Sequence, residues 1–496
     1  MRASGILLPI SSLPSKYGIG CFSKEAYRFV DGLEKAHQHF WQILPLGQTS
    51  FGDSPYQSFS TFAGNPYFID LEKLIEEGLI TREECDECDF GDNARVVDYG
   101  KIYAERYDIL WTAFENSNVR EDKAFIRFVE ENKDWLPDYA LYMAVKDSHD
   151  GSMWTDWEEG IKLRKKEDVD MYKEELSDDI LFYEFLQYKF FMQWMELKEY
   201  ANSHGVKIIG DIPIYVAFDS ADCWSDKKLF QFTKDNIPSA VAGCPPDAFA
   251  ATGQLWGNPL YDWGYHKKTG YKWWIRRVEY SFKLYDVVRI DHFRGFDEYY
   301  SIPYGDSTAE NGHWEKGPGI GLFKTIEDKL GKLDIIAEDL GYLTDSVIKL
   351  VKDTGYPGMK IIQFAFDSRE ESNYLPHTYD KNTVVYTGTH DNDTIQGWYR
   401  TISDEDREYS KKYMNNYNTA DKDIHNDFIR IAMASVSNMA IIPLQDYLGL
   451  GSEARINIPS TVGGNWTWRM MEEDITDELL DRIAQMTDIY GRNCGS

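Results

Sequence analysis

The sequence predicts an α/β fold, a (β/α)8 TIM barrel with large, mostly helical insertions between barrel strands. Three observations predict it: eight short apolar runs end in polar residues, most are followed by a helical pattern, and 496 residues exceed the roughly 250 of an unadorned barrel. The runs are Gly5 to Pro9, Phe40 to Leu46, Val206 to Pro213, Val287 to Asp291, Asp334 to Glu338, Met359 to Phe366, Thr383 to Thr387 and Met439 to Gln445. Helical periodicity falls at 24 to 37, 182 to 204, 272 to 285, 322 to 331, 343 to 354, 404 to 416 and 423 to 437, with 475 to 488 closing the chain. The gap between the second and third runs is far longer than a βα unit needs, so a mostly helical subdomain is expected over about 75–180. A second insertion is expected over about 214–270. Within it Val241-Ala-Gly-Cys-Pro-Pro-Asp-Ala-Phe-Ala250 is rich in Gly, Pro and small residues and reads as a long loop above the barrel. No fixed repeat or Pro/Ser linker divides the chain, so 1–496 is read as one barrel domain.

Composition narrows the function classes. Lys and Arg total 53 against 83 Asp and Glu, and the formal charge of −30 repels a phosphate backbone, so nucleic acid is not an expected partner. A neutral ligand suits that field better. The 26 Phe, 33 Tyr and 15 Trp exceed what a small core needs, and flat rings suit the apolar faces of sugars. Trp111, Trp135, Trp154 and Trp157 fit either a glycan-binding surface or the core of the first insertion. Gly5-Ile-Leu-Leu-Pro-Ile10 is too short for a signal peptide, and no stretch reaches the roughly 18 apolar residues of a membrane span. A soluble cytoplasmic protein with no membrane partner is therefore expected. Of Cys21, Cys85, Cys88, Cys223, Cys244 and Cys494, only Cys85 and Cys88 have a zinc-like spacing, and no further ligands stand nearby, so reduced thiols without a metal are expected. Lys316-Gly-Pro-Gly-Ile-Gly321 lacks the spacing of a phosphate cradle and no strand is read ahead of it, so it is taken as an ordinary loop.

In a βα barrel, chemistry sits at the C-terminal ends of the strands. Here those ends are acidic. Val288-Arg289-Ile290-Asp291-His292 closes one run and Ile335-Ile336-Ala337-Glu338-Asp339 the next; Gly388-Thr389-His390-Asp391 follows the seventh, and Asp211 closes the third. Alternation along a strand puts Arg289 and Asp291 on one face, where a guanidinium would hold the aspartate ionised as a nucleophile. Glu338 has an apolar run behind it and an anionic neighbour in Asp291. Both raise its pKa and suit a general acid, which becomes a base once Asp291 is esterified. His390 and Asp391 are placed to hydrogen-bond sugar hydroxyls and stabilise positive charge developing on the ring. His292 and His390 lack the compact acid-histidine triad of a metal site.

The ordered motifs Gly5-Ile-Leu-Leu-Pro9, Gly52-Asp-Ser-Pro-Tyr-Gln-Ser-Phe-Ser60, Gly64-Asn-Pro-Tyr67, Gly210-Asp-Ile-Pro-Ile-Tyr-Val216, Pro245-Pro-Asp247, Gly253-Gln-Leu-Trp-Gly-Asn-Pro-Leu-Tyr261, Arg289-Ile-Asp-His-Phe-Arg-Gly295, Ala337-Glu-Asp-Leu-Gly341, Gly388-Thr-His-Asp391 and Gly464-Asn-Trp-Thr-Trp-Arg469 span essentially the whole chain. Together they resemble the amylomaltases, the 4-α-glucanotransferases of glycoside hydrolase family 77, plant disproportionating enzymes included. The resemblance implies transfer of α-1,4-glucan segments among maltooligosaccharides, starch or glycogen-derived chains, with no metal or organic cofactor. It implies Asp291 as nucleophile, Glu338 as acid/base and Asp391 as transition-state stabiliser, with Tyr56, Asp211, Arg289, His292 and His390 around the sugar at the cleavage point. Gln254 and Trp256 match a flexible loop that folds over the substrate. The competing expectations are an α-amylase-like or debranching hydrolase on the same barrel and a catalytically dead glucan-binding protein.

Overall fold

A computed structural model of the chain describes residues 2–50, 52–246, 250–341 and 343–493. At its centre eight parallel strands close into a barrel: β1 (Ala3–Leu7), β2 (Phe40–Gln42), β3 (Lys207–Ile212), β4 (Val287–Ile290), β5 (Ile335–Ala337), β6 (Gly358–Ile361), β7 (Thr383–Tyr386) and β8 (Met439–Pro443). They follow one another round the wall in chain order, and β8 pairs back onto β1. Each of the eight apolar runs supplies one strand.

Alternation with period two gives every strand an inward and an outward face. Ala3, Leu7, Phe40, Ile209, Val287, Ile336, Met359, Ile361, Val384, Tyr386 and Ile441 form a closed apolar cluster inside the barrel. The intervening Ile6, Trp41, Ile208, Val288, Ile335, Val385, Ala440 and Ile442 join a larger cluster shared with the surrounding helices. Continuing the inward register toward the strand ends leads from apolar residues to Gln42, Asp211, Arg289, Asp291 and Glu338. The polar layer thus sits on top of a sealed apolar plug.

The helices follow the same logic. Lys24–Lys35 buries Ala26, Phe29, Val30 and Leu33, an apolar stripe at helical spacing. Asp345–Thr354 begins where the Thr344 side chain accepts the Val347 N–H, and stops at Gly355, whose φ of 72° is the left-handed conformation that glycine adopts without a Cβ clash. At the base of the barrel, buried Arg492 donates to the carbonyls of Ala3 at 3.0 Å, Ser437 at 3.1 Å and Met433 at 2.8 Å, tying the chain's end to the seam between β1 and β8.

Between β2 and β3 the described residues form helices and no strand, the longest being Tyr99–Glu115, Leu136–Ser148 and Ser177–Ser203. Three of the four tryptophans belong to the core of this insertion, and the fourth packs against it half-buried. Trp135, Trp154 and Trp157 are buried, and Trp111 packs on Phe182 with ring centroids 4.7 Å apart. The second insertion differs from expectation. The segment read as a loop contains a strand, Ala240–Cys244, which pairs antiparallel with Gln254–Pro259 and with Glu298–Pro303; the latter pairs in turn with His313–Lys316. This four-stranded sheet draws on residues beyond 214–270, and its last strand leads into Lys316-Gly-Pro-Gly-Ile-Gly321, where none was expected. Asp247 and Cys494 lie outside the described residues; Cys21, Cys85, Cys88 and Cys223 are thiols with no disulfide among the described residues. No described helix is long and apolar enough to cross a membrane.

Gly210 faces outward on β3, and a Cβ there would lie 2.1 Å from the Tyr285 ring, which is itself buried. Gly210→Ala is expected to destabilise the fold by about 1–3 kcal/mol through overpacking. A denaturant melt with a midpoint equal to wild type would show that the strand and ring separate without cost.

Candidate active site

Pairing of β3 with β4 sets Asp211 opposite Arg289, and this register builds an ion pair beneath the cleft. Arg289 Nη1 donates to both Asp211 oxygens at 2.8 and 2.6 Å, Nη2 donates to Asp291 Oδ1 at 3.1 Å, and Nε lies 3.4 Å from Met359 Sδ. The Tyr56 hydroxyl donates to Asp211 Oδ2 at 2.9 Å. Side-chain exposure is 0% for Asp211 and 3% for Arg289, against 28% for Asp291. Asp211, expected among the sugar contacts, is instead committed to Arg289 and Tyr56, because its place on β3 is level with Arg289 and one layer below Asp291.

The expected electrostatics of Asp291 also change in balance. Burial raises its carboxyl above the ordinary 3.8 by more than Arg289 lowers it, and Asp211 and Asp391 raise it further. Much of the guanidinium's charge is already answered by Asp211. Glu338 is raised further, by burial first and by the charge of Asp291 second, against the opposing pull of Arg289 and two backbone amides. Those amides come from Leu340, whose N–H reaches Oε1 at 2.8 Å, and from His292, whose N–H reaches Oε2 at 2.7 Å. His292 has a φ of 52°, a left-handed conformation that is uncommon for a residue with a side chain. Its ring is held neutral by burial, down to about 3, and its Nε2 is buried without a hydrogen-bond partner. Asp291 and Glu338 titrate as a pair. A proton donor and an oxygen nucleophile are thereby offered at the ends of neighbouring strands.

The rim follows β7. The Tyr56 ring stacks on His390 with centroids 5.1 Å apart and planes 19° apart, and Trp466 flanks His390 at 5.8 Å. Asp391 Oδ1 lies 3.5 Å from His390 Nε2 and accepts from Asn457 Nδ2 at 2.6 Å; the Asp391 carbonyl accepts from Arg455 Nη2 at 2.8 Å. Both ends of this loop are held by buried Asp446, which accepts from Thr387 Oγ1 at 2.5 Å and from the Ile395 N–H at 2.8 Å. Gln254 and Trp256 stand on the strand Gln254–Pro259. Trp256 Nε1 donates to Gln254 Oε1 at 3.1 Å, and its ring meets that of His292 edge-on at 4.7 Å.

The structure therefore gathers Tyr56, Arg289, Asp291, His292, Glu338, His390 and Asp391 around one cleft, with Trp256 against His292. Arg455, Asn457, Trp466 and Asp446 were not singled out from the sequence. They follow β8, beyond the strand-end position where catalytic groups are sought; only the motif at 464–469 signalled this region. Among the described residues, no group of three or more His, Cys, Asp or Glu side chains is placed to hold a metal ion.

The sequence model of the family described as 4-alpha-glucanotransferase matches residues 8–475. The 4-alpha-glucanotransferase of Clostridium butyricum is 53% identical over 486 residues, covering 97% of this chain and 99% of its own. That of Streptococcus pneumoniae is 50% identical over 496 residues, covering 99% of this chain and 97% of its own. The amylomaltase of Streptococcus agalactiae, solved in complex with acarbose, superimposes with a TM-score of 0.96 at 44% identity, covering 99% of this chain and 100% of that one. The chain belongs to the 4-alpha-glucanotransferase family.

Proposed function

We propose that Asp291, Glu338 and Asp391 divide the work of a retaining double displacement. In it an α-1,4-glucan segment moves from a donor maltooligosaccharide, or a starch or glycogen-derived chain, to the 4-hydroxyl of an acceptor. Transfer of glucan segments is the activity of the family; the residue roles rest on the site. The observation that carries them is the paired Asp291 and Glu338, one bonded to a guanidinium and the other to two backbone amides, with Glu338 raised further of the two.

Asp291 attacks the anomeric carbon with the oxygen that Arg289 leaves free, while Glu338 passes its proton to the glycosidic oxygen of the departing chain. The product is a glycosyl ester of Asp291. Esterification removes the aspartate charge, and with it the second-largest cause of the raised Glu338 pKa, while the Leu340 and His292 amides still favour its anion. Glu338 then takes the proton of the acceptor 4-hydroxyl as that oxygen displaces Asp291 and re-forms the α-1,4 bond. Asp391 stabilises the oxocarbenium-like transition state on either side of the ester. Trp256 and Gln254, beside neutral His292, hold the acceptor ring in place of water.

Incubation with pure maltotriose tests the reaction. Glucose and maltotetraose or longer chains are expected at constant reducing ends; rising reducing ends with only shorter products would identify a hydrolase. Asp291→Ala is expected to lose about 10⁴-fold or more of this turnover while remaining folded, and wild-type disproportionation by that variant removes Asp291 as nucleophile.

Both limbs of the pH profile should lie above the ordinary carboxylate values of 3.8 and 4.5, because both pKa values are raised. Turnover falls on the acid side as Asp291 gains a proton and on the alkaline side as Glu338 loses one. Glu338→Gln should remove the alkaline limb and cost about 10²–10⁴-fold on maltotriose, yet far less when ester formation from an α-glucosyl fluoride is followed. Equal losses on the two donors would count against the acid role.

Trp256→Ala should raise the ratio of hydrolysis to transfer on the order of tenfold, since the acceptor loses the ring that positions it against water. An unchanged ratio at lower total turnover would mean that Trp256 does not select the acceptor.

A further inference from the structure

Asp391 differs from the other two acids in how it is held. Asp291 is bonded to a guanidinium within the barrel and Glu338 to two backbone amides just beyond the ends of β4 and β5, whereas Asp391 lies on a loop and keeps 43% of its side chain exposed. Among the described residues, one side-chain hydrogen bond fixes its carboxylate, the Asn457 Nδ2 donor at 2.6 Å on Oδ1. Asn457 is itself clamped. Its N–H donates to the His390 carbonyl at 3.1 Å, its carbonyl accepts from Arg455 Nε at 2.8 Å, and Arg455 Nη2 bonds the Asp391 carbonyl at 2.8 Å. The next residue closes the loop, with the Ile458 N–H on Asn465 Oδ1 at 3.0 Å.

We infer that Asn457 is a positioning residue for the transfer reaction, orienting the Asp391 carboxylate so that Oδ2 is left to the sugar hydroxyls. The inference rests on the role given to Asp391 above. The chemistry explains why an amide suits this place. A lysine or arginine on Oδ1 would bring a cation close to a ring that becomes positively charged, whereas an amide donor fixes the carboxylate and leaves its charge to act on the transition state. The Arg455 guanidinium is turned to main-chain carbonyls instead. The ionisable groups facing the pair are His390, Asp291, Tyr56 and Arg455.

Two substitutions test this. Asn457→Ala should lower kcat on maltotriose by about 10–100-fold with KM changed less than about threefold, because the bond matters most as charge develops. Asn457→Asp should behave differently with pH. Two carboxyls at this spacing share a proton held to a raised pKa, so the missing donor is restored below that pKa and lost as pH rises through it. Its optimum is therefore expected about one pH unit or more below that of wild type, a displacement that a merely structural role would not produce. Circular dichroism melts verify that both variants fold. A folded Asn457→Ala with kcat within about twofold of wild type, or an Asn457→Asp profile of wild-type shape, overturns the inference. Asp391→Ala separates it from the reading beneath it: an inactive Asp391→Ala beside a fully active Asn457→Ala removes only the role of Asn457, whereas wild-type turnover by Asp391→Ala removes that of Asp391 as well.

Discussion

A single buried guanidinium organises the top of the barrel. Arg289 lies among inward-facing residues, where an unpaired cation would be intolerable, and it survives there because register places Asp211 directly beside it. Deleting one partner of such a pair typically costs about 3–5 kcal/mol, because the other charge stays buried. The pair therefore constrains more than its own two strands. It fixes the height at which the apolar plug ends, it anchors Tyr56 through Asp211, and it leaves one donor, Nη2, for Asp291. The stacked ring of His390 is positioned through Tyr56 in turn.

The upward shift of both Asp291 and Glu338 follows from this arrangement. Had Arg289 faced Asp291 alone, only burial and the charge of Asp391 would have offset its lowering of that carboxyl. Sharing the guanidinium with Asp211 moderates the effect, so burial wins at Asp291. Arg289 lowers Glu338 just as it lowers Asp291, while burial and the charge of Asp291 raise it. One ionisation thus governs the other: any loss of charge at Asp291 lowers the proton affinity of Glu338 without movement of the chain.

Much of this was legible in the chain. The alternation in Val287-Val288-Arg289-Ile290-Asp291 gives both the strand and the shared face of Arg289 and Asp291, since period two is a property of any strand. The apolar run before Glu338 announces its burial. What a strand cannot reveal by itself is its neighbour's register, so the pairing of Asp211 with Arg289, and hence the removal of Asp211 from the cleft, needed the folded barrel. The antiparallel sheet was hidden for a related reason. Ala240–Cys244 is rich in small residues, no tight two-residue turn joins it to its antiparallel neighbour Gln254–Pro259, and its other neighbour Glu298–Pro303 lies beyond β4, so no short hairpin signal marks it. Trp154 and Trp157 show the limit of composition, because a ring that suits a sugar suits a helical core equally well.

The loop after β7 poses the problem that a barrel leaves unsolved. Strand ends are rigid, but a carboxylate carried beyond them, as Asp391 is, stands on loop backbone that would otherwise be mobile. Here the rigidity is supplied from after β8. Asp446 bonds both ends of the loop, Arg455 and Asn457 bond its middle, and Trp466 packs on the His390 ring. Apart from the Trp466 ring these supports are polar, and none is an acid facing the cleft. Placement of the third carboxylate is thus a property of the chain's last hundred residues, whereas the first two are placed by the barrel itself.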